Sequence, residues 1–205
     1  MKEEEINTEQ AILKAAEEEF FTKGFAGSKT TEIAKAAGVT HAMLHYYFRT
    51  KENLFNKVFQ EKSALLAYSF RSLVDDDLPF FDKIRAGIEI HFDILAQNPK
   101  LPLFIFNEIL GNEERFDFCS KIILPNIRET LGKLTDAINK EIEKGTIRPI
   151  NPIDLLMSII SMNMFVFVAE PMIKLIINGG DAEYKAILEH RKQENIETIL
   201  SRLRL

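Results

Sequence analysis

Apolar residues recur every three or four positions along most of this chain, which is the spacing of an amphipathic α-helix. Pro and Gly divide the pattern into segments, and no segment alternates as a half-buried strand would. Helices are predicted over residues 51–71, 80–95, 103–110, 113–144, 152–177 and 181–203, with a bend at Pro125. The sequence therefore predicts an all-α fold.

A tight turn between two short helices is predicted within residues 29–48. Small and apolar residues at helical spacing lead to Gly38, and glycine adopts without strain the left-handed conformation that commonly ends a helix. Thr40 is placed to cap a second helix, His41 to Tyr47, with its side-chain oxygen. This pattern predicts a helix-turn-helix motif.

The second helix of the motif should expose a face that is rich in hydrogen-bonding groups and nearly free of charge. Leu44 and Phe48 should anchor this helix inward, which leaves Thr40, His41, Ala42, Met43, His45 and Tyr46 outward. A short exposed helix of this kind suits insertion into the major groove of DNA. Phosphate donors are expected at both ends: Ser28 as a cap before Lys29, Thr30 and Thr31, and Tyr46, Tyr47 and Lys51 beyond the second helix.

Residues within and around this motif resemble the N-terminal domain of TetR-family transcriptional repressors. The resemblance is dense over about residues 6–66 and weak beyond them. It rests on Ile12-Leu13-Lys14-Ala15-Ala16, Phe20, Gly24-Phe25, Ile33-Ala34-Lys35-Ala36-Ala37-Gly38-Val39-Thr40, Leu44, Tyr47-Phe48, Lys51 and Leu54. The resemblance implies a three-helix DNA-reading head at residues 1–50 and a helical ligand-binding and dimerisation body at residues 51–205. Residues 51–71 would form a connecting helix between them.

The same resemblance implies a function and a set of contacts. The chain would be a ligand-responsive repressor that binds a palindromic double-stranded operator as a homodimer and is released by a mainly apolar small molecule. The implied DNA contacts are Thr30, Thr40, His41, Ala42, Met43, His45, Tyr46, Tyr47 and Lys51.

Three residues depart from the family pattern. Ala42 stands where the family commonly has glycine, which alters the close approach of backbone to DNA, and His45 replaces a frequent tyrosine. Glu19 replaces a usual leucine on the first helix, and it should turn toward solvent with Glu17 and Glu18.

Composition limits how DNA can be bound and which chemistry is present. The chain has 205 residues and a formal net charge of −5, so DNA binding must rest on a local patch rather than on overall charge. Cys119 is the only cysteine, which excludes an internal disulfide and offers no metal-ligand cluster. No cofactor and no metal are expected.

A cytoplasmic location is expected. Residues 1–5 contain no apolar signal region, so we predict no export. The most apolar stretch, residues 155–169, contains Ser158, Ser161 and Asn163 and is shorter than the ~20 residues that span a bilayer. It should be a buried helix and not a membrane anchor.

The last two predicted helices are expected to form the homodimer. The final helix carries an apolar stripe beside a helix that is apolar nearly all round: Tyr184, Ile187, Leu188, Ile196, Ile199, Leu200 and Leu203. Such a pair can meet its copy in a four-helix interface, and the alternative is that both helices complete a monomeric core. Two linked heads would bind a palindrome with higher avidity than one.

The body is rich in Phe and Met, which are adaptable linings for an apolar pocket. Polar residues interrupt its apolar helices and would orient a ligand. The predicted ligand contacts are His91, Phe104, Asn107, Ser161, Met164 and Phe165. Each of them can also be an ordinary core residue, since buried polar groups are normally satisfied by hydrogen bonds.

Two other classes of protein remain as alternatives. A helical adaptor that binds only protein would explain the body but not the exposed tip of the second motif helix. A helical-bundle enzyme would need a nucleophile with a base or a metal cluster, and Cys119 has no neighbouring histidine in sequence. His41 and His45 have the spacing of a metal-binding pair, but no third ligand stands near them.

Overall fold

The computed structural model describes residues 2–75, 77–111 and 113–205, with side chains from Asn7 onward, and these residues form helices and no strand. The helices are α1 (Lys2–Gly27), α2 (Thr30–Ala36), α3 (His41–Phe48), α4 (Lys51–Ser69), α5 (Phe80–Gln97), α6 (Leu101–Gly111), α7 (Glu113–Glu143), α8 (Pro152–Val168), α9 (Glu170–Ile177) and α10 (Asp181–Leu203), with a 3-10 turn at Arg71–Val74. The all-α prediction is confirmed. Met1 and the side chains of residues 2–6, on which the prediction of no export depends, lie outside the described residues.

The first compact unit contains the chain up to Ala64 together with Leu103–Ile122. Aromatic side chains fill its centre because α1, α4 and α6 each turn phenylalanines inward. The Phe104 ring lies 5.8 Å from the ring of Phe55 and 6.0 Å from that of Phe59, between centroids. All three rings are at most 2% exposed. The helix-turn-helix motif therefore stands on a packed aromatic core.

The second compact unit contains Leu65–Pro102 and Ile123–Leu205. Its core is aliphatic and is built by α5, α8, α10 and the second half of α7. The buried members include Ile84, Ile88, Leu134, Ile138, Leu155, Ile159, Ile196 and Leu200. Inward aliphatic residues at helical spacing account for this arrangement.

The predicted division at residue 50 does not coincide with these units. Residues 51–64 and 103–122 belong to the same unit as the N-terminal helices, and the sequence pattern does not indicate this packing. The predicted connecting helix 51–71 is α4, which ends at Ser69 and is followed by the 3-10 turn. α7 continues as one helix through Pro125, and the predicted bend there stays a prediction.

The prediction of one continuous helix over residues 152–177 is wrong. α8 and α9 meet at Ala169 with a bend of 66°. Pro171 in the first turn of α9 has no N–H to donate and its ring clashes with the carbonyl four residues earlier, so it favours a new helix start over continuation. No described residue of α9 is buried.

Candidate nucleic-acid interface

The turn between α2 and α3 has the conformation that the sequence predicts. Gly38 has a φ of +70°. Its N–H donates to the carbonyl of Lys35 at 3.2 Å, and the N–H of Val39 donates to the carbonyl of Ala34 at 3.0 Å. These two bonds close the end of α2 and direct the chain into α3.

α3 presents the predicted face. Thr40 Oγ1 accepts a hydrogen bond from the Met43 amide at 3.2 Å, so the predicted cap is confirmed. Leu44 and Phe48 are 2% and 7% exposed and anchor the helix. The exposed residues are Thr40, His41, Ala42, Met43, His45 and Tyr46, and Tyr47 is half-buried. The outward face of α3 therefore carries hydrogen-bonding groups and no carboxylate.

The predicted cap by Ser28 is wrong. Ser28 is buried, and its hydroxyl donates backward to the carbonyl of Gly24 at 2.5 Å and to that of Glu19 at 3.2 Å. Gly24 has a φ of +65°, which breaks the helical hydrogen bonding of α1 and leaves this carbonyl for Ser28. Lys29 takes the cap position of α2 without a side-chain hydrogen bond.

Glu19 does not turn toward solvent as predicted. Its carboxylate accepts from the Lys29 amide at 3.3 Å and from Lys23 Nζ at 2.9 Å. Burial disfavours the charge, yet the hydrogen bond from Lys23 and the one from the Lys29 amide hold the pKa of Glu19 below its ordinary value. Glu19 thus satisfies a backbone donor at the start of α2.

The starts of α2 and α3 meet at a polar hollow. Thr30 Oγ1 and His41 Nε2 are hydrogen-bonded at 3.0 Å. Beside them lies a hollow of about 350 Å³, lined by Ser28, Lys29, Thr30, Thr31, His41, Leu44, His45, Arg49, Thr50 and Lys51. Hydroxyl, imidazole and cationic groups around one hollow can donate to an oxyanion such as a DNA phosphate.

Lys51, predicted as a phosphate contact, is engaged with the protein backbone. Its Nζ donates to the carbonyl of Phe25 at 2.7 Å and to that of Ser28 at 2.9 Å. The same ammonium lies 4.4 Å from the centroid of the Phe25 ring. These contacts indicate that Lys51 fixes the connection between α1 and α2.

Arg49 was not among the predicted contacts, and the structure places it at the hollow. It has a φ of +63° and a ψ of −51°, and the Thr50 amide donates to the Phe48 carbonyl at 2.6 Å, which together form a γ-turn. The guanidinium lies 5.9 Å from the centroid of the Tyr46 ring. Its position in the sequence, directly after the second motif helix, could have identified Arg49 as a phosphate contact.

The predicted ligand contacts are divided between the two compact units and differ in burial. In the first unit, Phe104 belongs to the aromatic core and Asn107 is exposed. In the second unit, His91 is buried, Met164 is half-buried, and Ser161 and Phe165 are exposed. Amphipathic spacing identified residues that interrupt an apolar pattern, but it did not determine which of them would be covered.

His91 belongs to a buried polar network in the second unit. Asn163 donates to its Nδ1 at 3.1 Å and also to the Ile88 carbonyl at 2.9 Å. Asn195 donates to Asn163 Oδ1 at 2.9 Å. Burial lowers the pKa of His91 to about 4, so the imidazole is neutral at physiological pH. His91 therefore has the environment of a hydrogen-bonded core residue, which is the alternative to a ligand contact.

The apolar stripe of the last helix faces its own chain. Ile196 and Leu200 are 0% and 1% exposed and lie in the core of the second unit. α8 and α9, by contrast, carry a group of exposed apolar residues: Ile153, Met157, Phe165, Val168, Met172, Leu175 and Ile176. Ile196 and Leu200 therefore pack inside the protomer and do not face a second copy, whereas a homodimer through the last two predicted helices stays a prediction.

Two further observations concern membranes and metals. Within the described residues no single helix has the length and apolar composition to cross a bilayer, and the bent pair α8–α9 has them only in combination. In the part of the chain that the structure describes, no group of three or more His, Cys, Asp or Glu side chains could hold a metal ion.

Comparisons with known proteins agree with this geometry. The family described as bacterial regulatory proteins, tetR family, matches residues 12–58, and the tetracyclin repressor-like C-terminal domain matches residues 81–199. The HTH-type transcriptional repressor SCO4008 of Streptomyces coelicolor is 27% identical over 184 residues, which cover 85% of this chain and 86% of that protein. The fatty acid metabolism regulator protein of Bacillus subtilis is 27% identical over 136 residues, covering 65% of this chain and 70% of that protein. The crystal structure of SCO4942 from Streptomyces coelicolor has a TM-score of 0.74 at 23% identity, over 96% of this chain and 98% of that one.

An exposed helix-turn-helix on an all-α chain defines a DNA-binding transcriptional regulator. The C-terminal match alone spans more than half of the residues, and the N-terminal match contains the motif. The chain belongs to the TetR family of transcriptional regulators. The family and the named relatives are regulators and not enzymes, so the enzyme alternative is not supported.

Proposed function

We propose that this TetR-family regulator is a repressor that binds a palindromic operator as a homodimer and is released by a small molecule. The observation that carries the proposal is the exposed face of α3 beside the polar hollow. That face offers hydrogen-bonding groups to base edges, while the hollow offers donors to the backbone of the same DNA.

The exposed position of each side chain supports a separate role. His41, Met43 and His45 are exposed within the first five residues of α3 and are assigned to base edges, with Ala42 and Tyr46 beside them. Thr30, Thr40 and Tyr47 stand at the margins and are assigned to phosphates, together with Lys29 and Arg49. We reassign Lys51 from phosphate contact to support of the motif, because two carbonyls already accept from its ammonium.

The exposed face of α8 and α9 supports a homodimer. Met157 and Phe165, two turns apart on α8, are 56% and 65% exposed, and Leu175 on α9 is 80% exposed. Apolar patches of this kind mark association surfaces. A second copy fits the patch because TetR-family regulators typically act as dimers and a two-fold interface is self-complementary.

The effector is proposed to be mainly apolar, as the sequence suggests. The similarity to a fatty acid metabolism regulator supports this class of compound. A cytoplasmic location, where the DNA of a bacterial cell lies, belongs to the same proposal.

One experiment tests the proposal. Wild-type protein is used to select duplexes from a random library, and the selected duplex is then titrated at several salt concentrations. A palindromic consensus, with affinity that falls steeply as salt rises, is the expected result. Acyl compounds of graded chain length are then screened for release of the duplex. A protein that selects no duplex, or binds all duplexes alike, would refute the proposal and favour the adaptor alternative.

A further inference from the structure

Phe25, close to the C-terminal end of α1, contacts a side chain of α6. Gly24 interrupts the helical conformation with a φ of +65° and a ψ of 176°. The Phe25 amide donates to Glu108 Oε1 at 3.2 Å. Glu108 is only 6% exposed, so this carboxylate is buried against the backbone at the break.

Arg115 on α7 contacts the ring of Phe25. Its guanidinium carbon lies 3.6 Å from the centroid of the Phe25 ring and 4.2 Å from that of Phe55. Arg115 Nε lies 3.7 Å from Glu108 Oε2, and Arg115 is 9% exposed. The two rings meet edge to face, with centroids 5.2 Å apart and planes at 78°, and the guanidinium lies against both of them. Attraction between a buried cation and the ring faces stabilises this arrangement.

We propose that Glu108 and Arg115 are positioning residues for DNA binding, which act through Phe25 on α2 and α3. Phe25 and Ser28 bound the short segment before α2, and their carbonyls are joined by Lys51 from α4. A shift of Phe25 must therefore move the start of α2, and with it the Thr30–His41 contact to α3. Glu108 and Arg115, from α6 and α7, thus contact the same residue, Phe25, that Lys51 of α4 contacts. This inference rests on the proposed binding of DNA by α2 and α3.

The test compares two substitutions of one residue. In Glu108→Gln the amide oxygen can still accept from Phe25, whereas Glu108→Met removes the acceptor and keeps an unbranched side chain of similar length. We expect Glu108→Met to weaken binding of a duplex selected by wild-type protein about 2- to 30-fold, and to speed amide exchange at residues 24–31. Glu108→Gln should stay near wild type in both measurements.

Two further variants complete the experiment. Arg115→Lys keeps the positive charge but loses the planar face, so it should speed exchange at residues 24–31 and weaken duplex binding by a similar factor. Glu17→Gln is the control, because it removes a 2.6 Å ion pair to Lys62 that joins α1 and α4 without touching Phe25. It should leave both measurements unchanged.

Equal duplex affinity for Glu108→Met and Glu108→Gln, with both folded by circular dichroism, would overturn the inference. If Glu108→Met does not fold, Arg115→Lys decides: wild-type exchange at residues 24–31 refutes the hold on Phe25 without any reference to DNA. Wild-type protein that selects no duplex would instead refute the proposed function.

Discussion

Replacing Lys51 by methionine should destabilise the first compact unit without reducing the number of phosphate contacts. The substitution keeps an unbranched side chain and removes the ammonium that donates to the carbonyls of Phe25 and Ser28. A hydrogen bond to a charged group contributes about 1.5–3 kcal/mol, and a cation over an aromatic ring about 0.5–2 kcal/mol. Lys51 is partly exposed and these contributions are not additive, so we expect a loss of about 2–4 kcal/mol in the free energy of unfolding.

Thermal unfolding and the salt dependence of duplex binding measure the two roles separately. For a chain of this length, about 2–4 kcal/mol corresponds to a fall of very roughly 4–16 °C in Tm. The matched control is Lys57→Met on the same helix, because Lys57 forms an exposed pair with Glu61 at 3.4 Å. The control should change the free energy of unfolding by less than about 0.5 kcal/mol.

The salt dependence of duplex binding should be unchanged in Lys51→Met if Lys51 supports the motif, and reduced if Lys51 contacts a phosphate. A lysine that contacts a phosphate contributes about one unit to the slope of log affinity against log salt. Wild-type Tm together with a slope reduced by about one unit in Lys51→Met would restore the phosphate role that the sequence predicts.

Three other changes test the interface, the dimer and the buried network. Lys29→Ala should reduce the slope of log affinity against log salt by about one unit and leave base preference intact. His41→Ala should change the duplex sequence that the protein selects, and selection of the wild-type sequence by this variant would show that His41 does not read bases. Phe165→Glu should weaken dimerisation about 30- to 1,000-fold, measured by sedimentation, since losing an aromatic anchor buried in the interface costs about 2–4 kcal/mol. Ile196→Glu, at a residue of the protomer core, should instead unfold the protomer. A dimer unaffected by Phe165→Glu would place the interface elsewhere. His91 has a pKa of about 4 when folded and 6.5 as its ordinary value, so below pH 6.5 the unfolded chain binds a proton that the folded chain does not. Stability should fall by about 3 kcal/mol from pH 6.5 to about 4, and urea unfolding of His91→Gln should lack this part of the loss.

Local structure, which depends on residues close together in the chain, was correctly predicted from the sequence alone. The turn at Gly38, the cap by Thr40 and the inward side chains of Leu44 and Phe48 are confirmed. Each depends on a backbone preference or on a spacing of three or four residues, so a few consecutive residues determine it. The helical period likewise gave the fold class.

Tertiary structure decided what each polar or apolar side chain meets. Glu19 and Lys51 look like surface charges in the sequence, yet each satisfies backbone groups near the start of α2. Ile196 and Leu200 form a stripe that had to be covered, and the choice between this chain and a second copy depended on how α5 and α8 pack against α10. An amphipathic period shows that one face of a helix will be buried, but the partner comes from segments distant in sequence. For that reason the motif was predictable from the sequence, whereas the hold of Glu108 and Arg115 on Phe25 was not.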